Sequence, residues 1–317
     1  MKKRVVSVML AAVLVLSLTA CQTKDTKQQD AYRQYGITCL ESGKYDDAIQ
    51  AFQNALDESI GQIGEKEIDI CFYKAKAQYL NGKTKDALET YNSVIQYKED
   101  ARAYYLRGDL YLDMGETEKG MADLKEAIAR AKDNYEIFIG VYESLSRHDN
   151  KEEGQKYLSQ AMEIKGDKPE DELYKGRICY LLGEYKDAIS YLKKAKENKQ
   201  LLASYYLGLA YEANGDEDKA AACIEEYIKS GEATTQDLYE LGMEEMQAGD
   251  YKDALNYFNS ALAFEQVPNK QELMKGVITA YEYSGDFTSA KKSMKKYLKA
   301  YPDDEEAQRE NTFLETR

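Results

Sequence analysis

The chain has 317 residues, including 28 Tyr, no Trp, 3 Pro and a single His, and its formal net charge is -14. The scarcity of Pro and the many Ala, Leu, Glu, Lys and Gln residues favour helix over sheet. A chain this acidic repels phosphate backbones, so we expect no nucleic-acid partner. It also repels anionic lipid headgroups, so the composition predicts that any membrane contact comes from something other than a basic patch.

The N-terminus has the features of a secretory signal peptide. Lys2, Lys3 and Arg4 form a basic start, and a largely apolar run extends from Val5 to Leu18. That run is too short to span a bilayer, which takes about 20 residues, but it suits a secretory core. Residues 18–21 read Leu-Thr-Ala-Cys, with small residues directly before Cys21. We therefore predict a signal peptide over residues 1–20.

The same segment resembles the lipobox of bacterial lipoproteins. The resemblance implies a diacylglyceryl group on the Cys21 sulfur and a location at the cell membrane, lipid-anchored on the extracytoplasmic face. The polar residues after it predict a flexible tether over 21–30. An ordinary signal peptide with an accidental Cys and a transmembrane anchor are the alternatives.

One pattern then repeats along the chain: a small residue, a large apolar residue four positions later, and usually another small residue three further on. Ala48, Phe52 and Ala55 show it first, and successive copies lie 32 to 39 residues apart. The later copies begin at Ala87, Gly120, Gly154, Ala188, Ala220, Ala254 and Ala290. This interval indicates a repeat protein in which each unit packs against its neighbours.

Two further series accompany this pattern. A small residue lies upstream of each copy, within an otherwise helical segment: Gly36, Ala75, Gly108, Gly140, Gly176, Gly208, Gly242 and Gly276. Gly inside a helix costs about 1 kcal/mol against Ala, so we predict that helices pack closely there. Between the two series lies a third, typical of helix ends: Gly43, Gly82, Gly115, Gly183, Gly215, Gly249 and Gly285. The fourth copy lacks this Gly, and we expect a lengthened turn at Arg147 to Asn150.

Together these series resemble the tetratricopeptide repeat, a helix hairpin with a period near 34. Leu207-Gly208 matches its Leu-Gly pair, Ala254 with Phe258 matches its Ala-x3-Phe, and Pro302 matches its helix-ending Pro. The resemblance implies an all-α fold: a right-handed superhelical solenoid of about eight hairpins over residues 31–302, with a C-terminal capping helix over 303–317. No copy has the family's Trp, and a different helical-hairpin array is the alternative.

The usual catalytic and metal-binding patterns were not found. His148, the only His, is expected to be a surface residue, and no phosphate-cradling glycine loop is present. The acidic turns lack calcium-loop spacing. We predict no enzyme activity, metal or cofactor. The remaining cysteines are expected to be buried thiols, with a disulfide as the alternative: Cys39, Cys71, Cys179 and Cys223.

The surface of the first helix of each hairpin is the predicted binding site. In tetratricopeptide-like arrays these helices line the concave face, and Tyr and Arg are enriched where proteins bind partners. The residues beside the glycine positions form the candidate partner site: Arg33, Phe72, Lys76, Tyr79, Tyr105, Asp109, Arg177, Tyr180, Tyr205, Tyr239 and Met243. Core packing is the alternative role for many of these Tyr.

These expectations favour a non-catalytic, membrane-anchored scaffold that binds a protein or an extended peptide. An envelope assembly or structural factor acting through lateral or homotypic contacts is the alternative function. An enzyme hidden in the repeats is the third possibility, but no nucleophile with a neighbouring base identifies one.

Overall fold

The structure, a computed structural model, describes residues 27–59, 63–166, 168–264 and 267–317. All regular structure in these residues is helical. The chain divides into two compact units, one ending at Gln200 and the other spanning Leu201–Arg317. Residues 1–26 lie outside the described residues, and the predicted signal peptide and Cys21 lie there with them.

The first unit contains five helix hairpins, in which each odd-numbered helix is followed by an even-numbered partner. Its helices are α1 (27–41), α2 (Tyr45–Asp57), α3 (Glu65–Leu80), α4 (Thr84–Lys98), α5 (Ala101–Asp113), α6 (Thr117–Ala131), α7 (Tyr135–Arg147), α8 (Lys151–Met162), α9 (Asp171–Leu182) and α10 (Tyr185–Glu197). Helix α1 already includes residues 27–30, which corrects the predicted end of the tether. Gln29 is 4% exposed there and donates a hydrogen bond to Glu67 Oε1 on α3 at 2.8 Å.

The second unit contains three hairpins and a final helix. Its helices are α11 (Leu202–Ala213), α12 (Glu217–Lys229), α13 (Thr235–Ala248), α14 (Tyr251–Leu262), α15 (Lys270–Tyr283), α16 (Phe287–Ala300) and α17 (Glu305–Glu315). Helix α17 packs on α16 through Ala307 and Leu314, which share a core with Ile278 and Met294. The final helix thereby covers the apolar side of the last hairpin, as the resemblance implies.

The predicted close packing is present in five hairpins. A β-carbon on Gly36 would lie 2.6 Å from the Phe52 ring, and one on Gly242 would lie 2.3 Å from the Phe258 ring. Gly108, Gly176 and Gly208 meet the large residue of their own partner helix in the same way. Each of these pairs is sixteen residues apart, so the small residue of the first helix makes room for the large residue of the second.

Two assigned glycines belong to a different register. A β-carbon on Gly140 would meet Tyr105 on α5, and one on Gly276 would meet Phe258 on α14, so both pack on the preceding hairpin. The positions sixteen residues before Leu158 and Met294 are instead Tyr142 and Ile278. In the fourth hairpin the small residue at the close contact is on the second helix: it is Gly154, which packs against the Tyr142 backbone.

The turn glycines have the conformation that the sequence predicts. Gly43 has φ +69° and Gly249 has φ +86°, the left-handed region in which a side chain is strained. The fourth turn is not lengthened, since only three residues separate Arg147 from Lys151, as in the first hairpin. Asp149 takes the glycine's place there with φ 59°, because Asp tolerates this region better than most residues.

Candidate functional site

A recess of about 350 Å³ opens between α3 and α5 in the first unit. Its walls combine an aromatic floor with charged side chains at the rim. The lining residues are Asp69, Phe72, Tyr73, Lys76, Tyr79, Tyr91, Leu106, Asp109, Leu110 and Asp113. Four of the predicted partner-binding residues therefore lie together: Phe72, Lys76, Tyr79 and Asp109.

The floor of the recess is apolar and closely packed. The Phe72 ring makes two contacts: its centroid lies 6.4 Å from that of Tyr91, and the Arg102 guanidinium lies 5.1 Å from it. Tyr91 is buried, and burial raises the pKa of its hydroxyl. Leu110 is buried beside Tyr91 in the same cluster. Such a floor can accept an apolar side chain without rearranging.

Arg33 does not line the recess itself, but it forms an ion pair with Asp69, which does. Its Nε and Nη2 atoms donate to Asp69 Oδ2 at 2.9 and 2.6 Å, and its guanidinium lies 5.1 Å from the Tyr73 ring centroid. Arg33 is on α1 and both partners are on α3, so the contact joins the first two hairpins. Arg33 is thus already paired with an acid of this chain, and its role as an anchor for a partner stays a prediction.

Asp109 is held by the hairpin that follows it. Asp109 Oδ1 accepts hydrogen bonds from Ser144 Oγ at 2.5 Å and from Arg147 Nη2 at 2.7 Å. Ser144 is fully buried on α7, so the carboxylate is fixed in orientation. This acid of the rim is therefore preorganised and already compensated in charge.

His148 links the same hairpin to the next acid of the rim. His148 Nδ1 lies 2.8 Å from the Ser144 carbonyl oxygen, and Nε2 lies 3.1 Å from Asp113 Oδ1. These two contacts hold the imidazole ring between α7 and α5. Tyr79 completes the arrangement by donating from its hydroxyl to Asp113 Oδ2 at 2.9 Å. His148 is thus a half-buried structural residue rather than the surface residue expected from the sequence.

Asp109, Asp113 and His148 are also the described side chains that come closest to a metal-binding group, with ligand atoms within 4.8 Å of one another. Arg147, however, donates to the same Asp109 carboxylate and brings a positive charge into the group. A second cation would have to compete with that guanidinium. The arrangement therefore supports a link between hairpins better than a metal centre.

Lys76 is the basic residue that the recess exposes. It lies on the rim and makes no ion pair with the residues that the structure describes. Burial raises the pKa of the Glu41 carboxyl, and the positive charge of Lys76 partly opposes that rise. A partner carboxylate can therefore approach Lys76 without first displacing an internal ion pair.

Three other predicted residues of the first unit do not line the recess. Tyr105 is packed over Gly140, and burial raises the pKa of its hydroxyl to about 12. Arg177 lies 5.8 Å from the Tyr174 ring, and Tyr180 packs on Tyr185 with ring centroids 6.1 Å apart. The Tyr105 and Tyr180 contacts are packing between helices, the alternative role that the sequence leaves open for the tyrosines, whereas the Arg177 contact lies within α9.

The remaining predicted residues belong to the second unit. Tyr205 is only 2% exposed, packs on Tyr227 at 5.4 Å and donates to Glu240 at 3.2 Å, so it is a core residue and not a contact for partners. Tyr239 is half-buried against Phe258, and Met243 is half-buried on the same helix. The sequence correctly places them beside the glycine but does not reveal how deeply they are packed.

Several lining residues are not among those predicted from the sequence. Asp69 and Tyr73 share one face of α3 with Phe72 and Lys76, at spacings of three and four residues. Asp113 follows Asp109 by four on α5. Helical periodicity identifies all three, because residues three or four apart lie on the same side of a helix.

None of the described helices is at once long and apolar enough to cross a bilayer. The predicted lipidation site, Cys21, falls outside the described residues, and so does the signal peptide over 1–20.

Sequence models of the tetratricopeptide repeat match residues 40–110 and 245–309, residues 101–134, and residues 202–230. The human protein DnaJ homolog subfamily C member 3 is 25% identical over 247 residues, which cover 75% of this chain and 43% of the relative. The Gallus gallus protein of the same name is 23% identical over 239 residues. This chain spans less than half the length of these relatives.

Solved structures similar to the chain include a tetratricopeptide repeat protein from Parabacteroides merdae. It covers 80% of this chain and 99% of its own, with 15% identity and a TM-score of 0.47. PilW, described as a type IV pilus biogenesis factor, covers 66% of this chain and 96% of its own, with 18% identity and a TM-score of 0.41. From its sequence matches and its helix hairpins, this chain is an all-α array of tetratricopeptide repeats.

Proposed function

We propose that this chain is a non-catalytic scaffold, anchored to the extracytoplasmic face of the cell membrane through Cys21, whose first unit binds a segment of a partner protein. The recess between α3 and α5 is the observation that carries the binding role. It combines an aromatic floor that includes Phe72 with an exposed Lys76 at the rim.

The charges at the rim define the partner segment. Asp69, Asp109 and Asp113 already accept hydrogen bonds from groups of this chain, whereas Lys76 makes no ion pair with the described residues. The complementary ligand is therefore an extended segment with an apolar side chain for the floor and a nearby carboxylate for Lys76. Aromatic anchors and a desolvated ion pair are the contacts that contribute most to protein interfaces.

The recess is tested by placing a photoreactive phenylalanine derivative at Tyr79, whose side chain is 38% exposed on the rim. The matched control position is Gln50 on the exposed side of α2. We expect one dominant adduct with a different protein from the Tyr79 position and none from the Gln50 position. Adducts only between copies of this chain would support the homotypic alternative, and equal labelling at both positions would contradict a binding recess.

The anchor is tested separately with Cys21→Ser. We expect wild-type protein in the membrane fraction with a diacylglyceryl mass on Cys21, and the variant released or left as an unprocessed precursor. An unmodified Cys21 in the wild-type protein would contradict the anchoring part of the proposal while leaving the recess untouched.

A further inference from the structure

Helix α16 has an unusual charge for this chain. It carries five lysines and no acidic residue, although the formal net charge of the whole chain is -14. The lysines are Lys291, Lys292, Lys295, Lys296 and Lys299. No other helix in the described part of the chain lacks Asp and Glu.

The lysines form one face of the helix. The opposite face buries Ala290, Met294 and Tyr297 completely in the core of the last hairpin. At 3.6 residues per turn, the lysines cluster on the side away from these residues. Lys292 and Lys296 are exposed, and the five lysines make no ion pair with the residues that the structure describes. We call these five side chains the α16 lysine face.

The corresponding faces of the other hairpins in this unit differ. The exposed side of α12 includes Glu217, Asp218, Glu225 and Glu226, and its lysines Lys219 and Lys229 form ion pairs with Asp216 and Glu225. Acids and bases alternate there, as is usual on a solvated helix. The lysines of α16 have no such acidic neighbours on their own helix.

Two aromatic residues adjoin the lysine face at one end. Arg317 lies 4.8 Å from the Phe313 ring and 5.9 Å from the Phe287 ring, which brings the end of α17 beside the start of α16. Phe313 is 49% exposed and Phe287 is half-buried. Phe287 precedes Lys291 by one helical turn. Basic side chains next to an exposed aromatic ring suit the boundary between headgroups and acyl chains.

We infer that the α16 lysine face docks on a bilayer surface rich in anionic phospholipid. Clusters of four to eight basic residues bind such surfaces through phosphate headgroups. Distant acidic residues do not prevent this, because charges more than about 10 Å away are screened at physiological salt. The acidic helix α17 packs on α16, but its carboxylates form no ion pair with the five lysines among the described residues. The net charge of the chain argues against a basic patch, but helix α16 places five lysines together on one face.

The bilayer fits this face better than an acidic protein does. The lysines lie along one face of a single helix, so they offer an extended charged surface that suits many phosphates at once. The partly exposed Phe313 can enter the boundary of a bilayer, and a flat anionic surface can meet all the lysines at once. This contact goes beyond the proposed lipid anchor at Cys21, since it involves the other end of the chain.

The inference is tested on the full chain with a polarity-sensitive dye on Thr288→Cys, an exposed position at the start of α16. The protein is bound to phosphatidylcholine vesicles, and phosphatidylglycerol is then titrated in. We expect the dye emission to shift to the blue as anionic lipid increases and to return at high salt. The same dye on Ser159→Cys in α8 should show no shift.

Charge reversal identifies the residues. Lys292→Glu, Lys296→Glu and Lys299→Glu combined should move the titration midpoint by more than about tenfold in anionic lipid. The matched control combines Lys125→Glu, Lys151→Glu and Lys252→Glu, which make the same change of net charge at exposed positions on α6, α8 and α14. An unshifted dye in the wild type, or equal midpoints for the two triple variants, would overturn the inference. So would a shift produced equally by soluble polyglutamate, because that result would assign the face to an acidic protein.

Discussion

Gly208 on α11 and Ile224 on α12 occupy one shared space. A β-carbon on Gly208 would lie 2.6 Å from Ile224 Cδ1 and 3.3 Å from the Ala220 carbonyl oxygen. The same relation recurs in four other hairpins, and it explains why glycine is found inside helices that otherwise have no reason to contain it. The glycine allows the two helices of a hairpin to approach until a large side chain fills the gap.

Enlarging this residue should therefore destabilise the hairpin. We expect Gly208→Leu to lower the free energy of unfolding by about 1–3 kcal/mol, the usual cost of overpacking a core. Thermal unfolding measures the effect. Glu217→Gln, at an exposed position on α12, should change it by less than about 0.5 kcal/mol. Adding Ile224→Ala to Gly208→Leu should recover part of the lost stability. Equal effects of Gly208→Leu and Glu217→Gln would show that the assigned register is wrong.

A partly buried ion pair provides the second prediction. Arg107 Nε and Nη2 bond both oxygens of Asp123 at 2.6 and 2.7 Å, and the two side chains are 18% and 10% exposed. We expect Asp123→Ala to lower the free energy of unfolding by about 3 kcal/mol, because it leaves the guanidinium without its partner in a shielded place. Glu116→Ala removes the exposed partner of Lys119 and should cost less than about 1 kcal/mol. Similar losses from both variants would show that the Arg107 pair is no more important than a surface pair.

The third prediction concerns the pH dependence of stability. Burial raises the pKa of Glu282 to about 7, with a further contribution from Glu310 on α17, and burial together with Glu212, Glu240 and Glu245 raises the pKa of Glu244 to about 7. Folding thus favours the protonated carboxyl. The stabilisation is complete below the ordinary pKa near 4.5 and is lost as the pH rises through about 7.

The melting temperature should accordingly fall between pH 5.5 and pH 8. Glu244→Gln and Glu282→Gln should each reduce this fall, since an amide mimics the neutral carboxyl at every pH. Carboxyls with a lowered pKa, such as Asp100, lose their contribution only in more acidic solution and do not act in this range. A wild-type melting temperature that rises toward pH 8 would contradict the assignment. So would a fall in both variants as large as the fall in the wild type.

The cysteines provide the fourth prediction. Cys39, Cys71, Cys179 and Cys223 are free thiols in four different hairpins. Burial raises the pKa of Cys71, and it raises the pKa of Cys179 to about 12. Because the thiolate is the reactive form, we expect slow alkylation of the native protein and labelling of all four residues after denaturation without reductant. A stoichiometric disulfide found by mass spectrometry would contradict this.

The sequence predicts the helix hairpins well because their signals are local and repeated. Turn glycines, such as Gly43 and Gly249, and the paired small and large residues each depend on the conformation of a few neighbouring positions. The fourth hairpin shows where this fails. Asp149 adopts the turn conformation without being glycine. The position sixteen residues before Leu158 is Tyr142, so Gly140, the glycine inside α7, was assigned to the wrong register.

The candidate site was only partly predictable for a different reason. Position beside a glycine indicates which way a side chain leaves its helix, but depth depends on the neighbouring hairpin. Phe72 and Tyr205 both lie three residues before the small residue of their helix, yet Phe72 is half-buried and lines the recess, whereas Tyr205 is 2% exposed. The Tyr205 ring packs on Tyr227 of α12, and its hydroxyl donates to Glu240 of α13. Nothing in the local sequence of α11 specifies these two contacts. Likewise, the ion pair of Arg33 with Asp69 joins residues of different hairpins.

The most direct test of the proposed function measures the yield of the Tyr79 photo-adduct in two charge-reversed variants, with thermal unfolding recorded on the same proteins. Lys76→Glu places an acid at the rim of the recess, and Lys85→Glu makes the same change at an exposed position on α4. If the recess binds a segment through its apolar floor and Lys76, the adduct yield falls several-fold in Lys76→Glu and is unchanged in Lys85→Glu, at equal melting temperatures. Equal yields in the two variants, or a loss of yield that follows a loss of stability, would contradict a binding role for the recess.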